Sequence, residues 1–404
     1  MTKARREELE RRMRIIPTEA EAADLRSRVL DFCHEAIPRT VRGLERQGTM
    51  SDGDSPAFFK ALGIAGWIGR HWPREYGGRE GTHLETAIID EALGYARAPL
   101  SAYLLSVKVF GNSLMLFGTP GQKRKYLPLI AAGDAMFCQG FSEPMAGSDF
   151  GSLRTTALRA GDEYIVNGHK IWTSSAEVAT HMYLAARTDP KAVKHRGISL
   201  FVLDMKTPGV TVNSFRTLGG GVLNEVFLSD VRIPAENLLG EENRGFHQAM
   251  RSLDLERSCM DRVGAARLSL DRLVEYVSSD GSDGAGKRLS DVKMVQEKIG
   301  ELRTKLQVAR TFGYMIARNL DAGKGLSAEF SFGKLYVGLL TQALADATVD
   351  IVGTVAQFEH GSDLAIFDGL FPAVFRASPA LTLAGGSSEI QRGVIAARGL
   401  GLPK

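Results

Sequence analysis

Hydrophobic residues recur at helical spacing in the first third of the chain. Leu25, Val29 and Phe32 lie on one face of such a helix. The same spacing continues, with interruptions, through residues 20–133. We therefore predict an N-terminal helical part, whose clearest further helices cover 85–95 and 102–117.

Near residue 135 the pattern changes to alternating and short apolar stretches, which are typical of β-strands. Asn167-Gly168 interrupts the first stretch, and we expect a hairpin there because this dipeptide favours tight two-residue turns. The all-β part spans roughly 100 residues. Its predicted strands cover 162–171, 198–204, 210–215 and 224–233.

From Gly245 the helical spacing returns and persists almost to the end of the chain. The predicted helices cover 245–278, 289–321, 327–354 and 386–398. The order is all-α, all-β, all-α, without the strand–helix alternation of a Rossmann sheet. We predict an α+β fold with an N-terminal all-α domain, a middle β domain and a C-terminal helical domain, at 1–133, 134–240 and 241–404.

Charge and cysteine usage narrow the functional classes. Lys and Arg number 50 and Asp and Glu 47, a net charge of +3, which argues against a dedicated nucleic-acid binder. Cys33, Cys138 and Cys259 are far apart, which argues against a disulfide framework or a zinc cage and fits a reducing cytoplasm. No segment approaches the roughly 18 consecutive apolar residues of a membrane helix. The basic residues at 1–14 alternate with acids, unlike a targeting peptide, so we expect a cytoplasmic protein.

Two glycine-rich segments only superficially indicate nucleotide binding. Gly281 to Lys287 has the spacing of a P-loop, but Arg288 stands where Ser or Thr should bind magnesium and no strand precedes it. Gly219-Gly220-Gly221 lacks the third spaced glycine of a dinucleotide fingerprint. The sequence also contains no Gly-x-Ser-x-Gly elbow, which weakens a hydrolase interpretation.

Three other segments could bind a ligand. Gln139-Gly-Phe-Ser-Glu-Pro-Met-Ala-Gly-Ser-Asp149 is either a ligand-binding loop or a turn that leads into the β part. Gly168-His-Lys-Ile-Trp-Thr-Ser174 either flanks a flat ring system or holds a core tryptophan. Leu383-Ala-Gly-Gly-Ser-Ser-Glu-Ile-Gln-Arg392 is either a capped helix start or a site for anionic phosphates.

Together these segments resemble the acyl-CoA dehydrogenase family, and the resemblance covers nearly the whole chain. It includes Trp72-Pro-Arg-Glu-Tyr-Gly-Gly78, Phe117-Gly-Thr-Pro-Gly-Gln-Lys-Arg-Lys-Tyr-Leu-Pro128 and Asp230-Val-Arg-Ile-Pro234. The family fold consists of an N-terminal helical domain, a middle β-barrel-like domain and a C-terminal four-helix bundle. That fold agrees with the order of patterns above.

The resemblance implies a site for FAD and an acyl-CoA. Phe141 and Ser142 would face the pyrimidine side of the flavin ring, Trp172 would shield its face, and Ser174 would bond near N5. The full set implied for the cofactor is Gln139, Phe141, Ser142, Gly147, Ser148, Trp172, Thr173, Ser174, Ser387 and Glu389. The set implied for the substrate is Ser148, Asp254, Arg257 and Gly386.

The resemblance also implies where the catalytic base stands. Many members carry it directly before the Gly-Thr/Ser of the third segment, but that position here is Gly385, which has no side chain. A second subgroup places the base on the helix that opens the C-terminal domain, and the matching residue is Glu256. On one continuous helix Glu256 falls at the edge of an apolar stripe, formed by Phe246, Met250, Leu253, Met260 and Gly264.

Two motifs that reach across a subunit interface in the family are altered. Ser282 and Ala285 stand where Arg-x-x-Phe-Gly has its Arg and Phe, and Asp350 opens a degenerate Gln-x-x-Gly-Gly. Half of a shared cofactor site is therefore kept and half is missing. We expect the chain to pair with a paralogous chain in an α₂β₂ tetramer; the alternative is that Lys287 or Arg288 takes over the phosphate contact.

The resemblance thus implies an FAD-dependent acyl-CoA dehydrogenase that passes electrons to an electron-transfer flavoprotein. Alternatives are a dehydrogenase of a carrier-protein-bound acyl chain, a flavin monooxygenase on the same fold, and a non-catalytic partner subunit. The segments at 384–388 and 399–403 are similar to those of the subgroup that acts on bulky or steroid side-chain thioesters.

Overall fold

A computed structural model describes residues 17, 19–40, 55–256, 259–282, 284–324 and 328–403, without the side chains of 19–21, 38–40 and 253–256. Helices lie at both ends of the chain and a β-sheet lies between them, which confirms the predicted α, β, α order.

The N-terminal helices begin at clear capping residues. Thr82 accepts a hydrogen bond from the Glu85 amide while the Glu85 carboxylate accepts one from the Thr82 amide, and Thr119 and Gln122 form the same reciprocal pair. The first cap begins the helix predicted over 85–95, and the second begins a helix that was not predicted individually. The helices are α1 Glu19–Thr40, α2 Pro56–Ile64, α3 His83–Tyr95, α4 Ser101–Phe117 and α5 Pro120–Ala131. The middle of α4, Leu104–Gly111, is a π-helix.

The middle part forms one eight-stranded sheet. Its strands are β1 Phe137–Gly140, β2 Thr156–Ala160, β3 Glu163–Thr173, β4 His181–Arg187, β5 Ile198–Asp204, β6 Val210–Arg216, β7 Val222–Pro234 and β8 Leu238–Leu239. The strand order is β6-β7-β3-β2-β4-β5-β8, with β1 paired to β4. Strands β3, β5, β6 and β7 confirm the four predicted ones, and the other four were not predicted. Strand β4 gives no alternating pattern because it is buried along almost its whole length.

The hairpin expected at Asn167-Gly168 is wrong, because β3 runs straight through it. The register shifts there, with the extra residue on β7, where Asp230 has a φ of +51°. Asn167 exchanges two hydrogen bonds with Asp230, at 3.0 and 2.9 Å. A Cβ at Gly168 would lie 2.2 Å from Thr155 Oγ1, so the glycine permits a close approach and does not make a turn.

The prediction of a single helix over 245–278 is also wrong. This segment contains two helices, and Cys259, directly before the second, has a left-handed φ of +55°. The apolar stripe is therefore divided: Phe246 and Met250 pack against the N-terminal core, and Met260 belongs to the C-terminal core. The helices are α6 Gly245–Glu256, α7 Met260–Val277, α8 Lys293–Asp321, α9 Glu329–Val352, α10 Leu370–Ala377, α11 Ala380–Leu383 and α12 Ser388–Val394.

Helix α9 is the most apolar of the long helices. Within the described ranges, Glu329–Gln357 is long and apolar enough by composition to cross a membrane. Half of its most apolar stretch is buried, and Val337, Leu340 and Leu344 lie in the C-terminal core. Its composition thus reflects its position in the centre of the helical bundle.

Helices α3 and α7 cross in backbone contact and join the N-terminal domain to the C-terminal domain. A Cβ at Gly94 would lie 1.8 Å from the Asp261 carbonyl oxygen, and one at Gly264 would lie 2.0 Å from the Glu91 carbonyl oxygen. No side chain fits at either position, so the two glycines set the distance between the helices.

Buried charges surround this crossing. The Glu91 carboxylate accepts a hydrogen bond from Arg310 Nε at 2.6 Å. On the other side, Lys108 Nζ donates to Asp90 at 2.9 Å and to Asp261 at 3.4 Å. Burial lowers the pKa of Lys108, but the two carboxylates outweigh it and leave the pKa raised. Each ion has a partner, as burial in a protein interior requires.

We expect Gly94→Ala to lower the free energy of unfolding by about 1–3 kcal/mol, because the methyl group would force α3 away from α7. Gly300→Ala is the matched control: Gly300 lies in α8, and no described atom is within 4 Å of its Cβ position. That change should raise stability by about 0.5–1 kcal/mol through helix propensity. Urea denaturation followed by circular dichroism measures both. Equal shifts in the two variants would contradict the close packing of α3 on α7.

Candidate functional site

The three candidate segments at 139–149, 168–174 and 383–392 are the first, second and third motif. The first motif begins in β1 and continues as a loop whose two faces differ. The Phe141 ring is buried, with ring centroids 5.0 Å from both Phe150 and Tyr183, so this residue offers a ligand its backbone only. Ser142 is partly exposed, and Gly147 and Ser148 are exposed. No described atom lies within 4 Å of a Cβ at Gly147. The outer face of the loop is therefore open for a ligand to approach, and Gln139 lies at its root in β1.

A buried ion pair ties this loop to β3. Lys170 Nζ donates to Glu143 Oε1 at 2.8 Å and to the Phe141 carbonyl oxygen at 3.2 Å. Glu143 also accepts hydrogen bonds from the backbone amides of Arg154, at 2.6 Å, and Thr155, at 2.9 Å. Both residues lie inside motifs named above, but the sequence pattern indicated a role for neither.

The second motif contains a β-bulge that exposes Trp172. Between Lys170 and Thr173, β3 carries one residue more than β7 opposite, and Trp172 has a φ of +59°. The side chains of Lys170 and Thr173 consequently both point inward, and Trp172 is turned outward with 57% of its surface exposed. Its ring meets Phe215 edge-on at 5.5 Å. The bulge thus presents a large flat apolar surface beside the first motif.

The hydroxyls after Trp172 lie in different environments. Thr173 is buried, and its Oγ1 makes no hydrogen bond with the described residues. Its carbonyl oxygen accepts a hydrogen bond from Asn224 Nδ2 at 2.8 Å. Ser174 is partly exposed. Of these two hydroxyls, Ser174 is therefore the one that a bound molecule can reach directly.

The third motif is a glycine loop held from below. Gly385 and Gly386 have φ values of +68° and +89°. Buried Lys334, on α9, donates to the Gly386 carbonyl oxygen at 2.5 Å. The buried Gln391 amide donates to the carbonyl oxygens of both glycines at 3.2 Å. Both carbonyls thus point into the bundle, and the opposite side of the loop faces outward. Lys334 gave no signal in the sequence because it lies in an apolar helix.

Two predicted cofactor residues follow this loop. Ser387 caps α12, with its Oγ accepting a hydrogen bond from the Ile390 amide at 3.3 Å. Glu389 is exposed, and a hydrogen bond from its own backbone amide, followed by one from Ser387, lowers the pKa of its carboxyl group. No described atom lies within 4 Å of a Cβ at Gly385. The position that carries the base in many family members is therefore open space here.

Contacts between domains bring the motifs to one side of the molecule. A Cβ at Gly219, in the loop after β6, would lie 3.1 Å from Ala377 Cα at the end of α10. Phe215, which meets Trp172, lies on the same strand β6. The edge strand β6, which contacts Trp172 through Phe215, therefore leads into a loop that lies against the segment before the third motif.

Helix α6 ends at Glu256, the predicted base. Ser252, one turn earlier, is buried and hydrogen-bonds Tyr183, whose ring centroid lies 5.0 Å from that of Phe141. The side chains of Asp254 and Glu256, and all of Arg257, lie outside the described residues. The last turn of α6 is thus linked through Tyr183 to Phe141 of the first motif, and the position of the Glu256 side chain stays a prediction.

The altered interface segment has a local structural use. The Ser282 hydroxyl accepts a hydrogen bond from the Leu289 amide at 2.7 Å and donates to the Val277 carbonyl oxygen at 3.2 Å. Arg288 Nε donates to Asp280 at 2.7 Å. Ser282 therefore closes its own loop, and Arg288 has an acidic partner within it.

Among the residues that the structure describes, no group of three or more His, Cys, Asp and Glu side chains could hold a metal ion.

Models of one protein family match most of the chain. The models for the N-terminal, middle and C-terminal domains of acyl-CoA dehydrogenase match residues 19–134, 138–231 and 243–400. The acyl-CoA dehydrogenase FadE26 of Mycobacterium tuberculosis is 34% identical over 349 residues, 85% of this chain and 86% of that protein.

Two solved structures are similar over nearly the whole chain. The Tcur3481-Tcur3483 steroid ACAD has a TM-score of 0.88 at 28% identity and covers 97% of this chain and 100% of its own. The ChsE4-ChsE5 complex from Mycobacterium tuberculosis has a TM-score of 0.86 at 32% identity, with the same coverage of 97% and 100%.

Proposed function

Because the chain belongs to the acyl-CoA dehydrogenase family, we propose that it uses FAD to remove two hydrogens from neighbouring carbons of an acyl-CoA thioester. The observation that carries this proposal is the bulge at Trp172. It turns a tryptophan outward beside two loops whose ligand-facing sides are open.

The residues on this surface fit a flavin. A flat ring needs an apolar face to stack on and polar groups at its edge. Trp172 supplies the face, and Ser142 and Ser174 lie partly exposed on either side. Gly147 leaves room for the ring to approach the backbone. FAD, when bound, supplies the redox chemistry by accepting the β-hydrogen as hydride.

We propose that the Glu256 carboxylate is the base that accepts the α-proton of the substrate. Gly385 brings no carboxylate to the position where many family members carry the base. Helix α6 ends at Glu256, one turn after Ser252, which hydrogen-bonds Tyr183 beside Phe141. The base and the hydride acceptor must lie on opposite sides of the two reacting carbons. Negative charge develops on the thioester oxygen, and backbone amides of the glycine loop can stabilise it because the carbonyls of that loop point inward.

The substrate that we propose is a bulky acyl-CoA, such as a steroid side-chain thioester. The similar structure named above is a steroid ACAD, and it covers 97% of this chain. Ser148, Asp254, Arg257 and Gly386 would contact this substrate, and Gln139, Ser387 and Glu389 would contact the cofactor. Electrons would pass from the flavin to an electron-transfer flavoprotein.

We further propose that the chain works in an α₂β₂ tetramer with a paralogous chain. Flavin phosphates are anionic and are usually held by a bidentate arginine. Ser282 stands at that position and uses its hydroxyl within its own loop. Arg288 is paired with Asp280, which weakens the alternative that it replaces the missing arginine. One of the similar structures is itself a complex of two named chains, ChsE4 and ChsE5.

Glu256→Gln should keep the flavin and lose about 10²–10⁴-fold in turnover, because an amide cannot accept the α-proton. Glu297→Gln, on the exposed face of α8, is the matched control and should leave the rate unchanged. Stopped-flow reduction of the flavin by an acyl-CoA measures the step directly. Retention of more than roughly a tenth of the wild-type rate would rule out Glu256 as the base.

Trp172→Ala should weaken FAD binding and change the visible spectrum of the bound flavin, because the ring would lose an aromatic contact worth about 0.5–1.5 kcal/mol. Trp172→Phe keeps a flat ring and should retain most of the affinity. Flavin titration followed by fluorescence and absorbance compares the two. Identical affinity and spectra in the alanine variant and the wild type would place Trp172 away from the ring.

Expressed alone, the chain should bind FAD weakly, and co-expression with a paralogue that carries the missing Arg and Gln should give an α₂β₂ complex with two flavins. Light scattering gives the mass and absorbance gives the flavin content. A stable homotetramer with one tightly bound flavin per subunit and full activity would disprove the heteromer.

A further inference from the structure

We propose that Lys170 and Glu143 are a positioning pair that fixes the cofactor-facing backbone of the first motif relative to Trp172. The proposal rests on the proposed FAD site and adds to it two residues that do not themselves touch the ligand.

The pair closes the loop of the first motif at both ends. Lys170 Nζ reaches Glu143 at 2.8 Å and the Phe141 carbonyl oxygen at 3.2 Å. Glu143 in turn accepts the amides of Arg154 and Thr155, at the far end of the loop. Since Lys170 lies two residues before Trp172 on β3, the same ammonium group connects the first motif to the second.

The hydrogen bond to Phe141 also determines what the loop presents. In a planar trans peptide the C=O and the following N–H point in opposite directions. The Phe141 carbonyl points inward to Lys170, so the Ser142 N–H points away from the buried pair. The Ser142 carbonyl oxygen is held from the other side by the Ile171 amide at 3.0 Å. Within the described residues the Ser142 N–H meets no acceptor, so it is available to a ligand.

Stability alone does not account for this arrangement. Lys170 is fully buried and Glu143 is nearly so. Burial lowers the pKa of Lys170 to about 8, with Glu143 opposing the shift, so burial weakens the charged form although that form still predominates at pH 7. A buried ion pair often stabilises a fold no better than apolar residues of the same volume. What this pair provides is a fixed direction for the peptide between Phe141 and Ser142.

The experiment compares Lys170→Met, Glu143→Gln and the double variant with the wild type, using the assembly that binds flavin in the wild type. FAD dissociation constants, the visible circular dichroism of bound flavin and the thermal unfolding midpoint are measured on samples with native far-ultraviolet spectra. Arg232→Met is the control, because Arg232, on β7, pairs with Glu163, on the same strand β3 as Lys170, but at an exposed position.

Each single variant should raise the FAD dissociation constant about tenfold, the size of one lost hydrogen bond. The double variant no longer buries a lone charge, so its unfolding midpoint should recover towards that of the wild type while its FAD affinity stays low. Arg232→Met should change neither quantity. Glu143→Gln keeps the shape of the side chain and provides the test if Lys170→Met does not fold.

Unchanged FAD affinity in the folded single variants, or an affinity that recovers together with the unfolding midpoint in the double variant, would overturn the positioning role and leave the proposed function standing. Absence of FAD binding by the wild type, both alone and with its paralogue, would overturn the proposed function itself and this inference with it.

Discussion

The geometry of the molecule depends on the contact between helices α3 and α7, where Gly94 and Gly264 let two backbones meet. Nothing larger than hydrogen fits at these positions, and the carboxylates of Asp90 and Glu91 leave α3 on either side of the contact to reach cations on other elements. The crossing therefore fixes the start of α7. Because α6 ends a few residues earlier, the position of Glu256 relative to the N-terminal domain depends on it as well.

A second constraint comes from the bulge in β3 between Lys170 and Thr173. A regular strand would have put Trp172 and Thr173 on opposite faces and Lys170 on the face of Trp172. The extra residue reverses that parity, so that an ammonium group and a hydroxyl turn inward and the indole turns outward. The surface that a ligand would meet is thus decided by one inserted residue, together with the ion pair beneath it.

Much of this could be predicted from the sequence. The change of period at both domain junctions was visible, as were the glycine- and hydroxyl-rich segments, because both are local patterns. The errors arose where the backbone conformation is not determined by the local sequence pattern. Asn167 bonds to Asp230 instead of making a turn, and Cys259 adopts a left-handed conformation inside a continuous helical pattern. Lys334 could not be found, since its role comes from a carbonyl group 52 residues away.

The exposure of Trp172 gives the protein an internal optical probe. The chain has three tryptophans; Trp67 and Trp72 are 7% and 0% exposed, whereas Trp172 is 57% exposed. Indole emission shifts to the red in water, so the long-wavelength part of the intrinsic fluorescence belongs to the side chain at the candidate site. Intrinsic tryptophan fluorescence thus reports on that surface without any label. A molecule that covers the indole shifts its emission to shorter wavelengths.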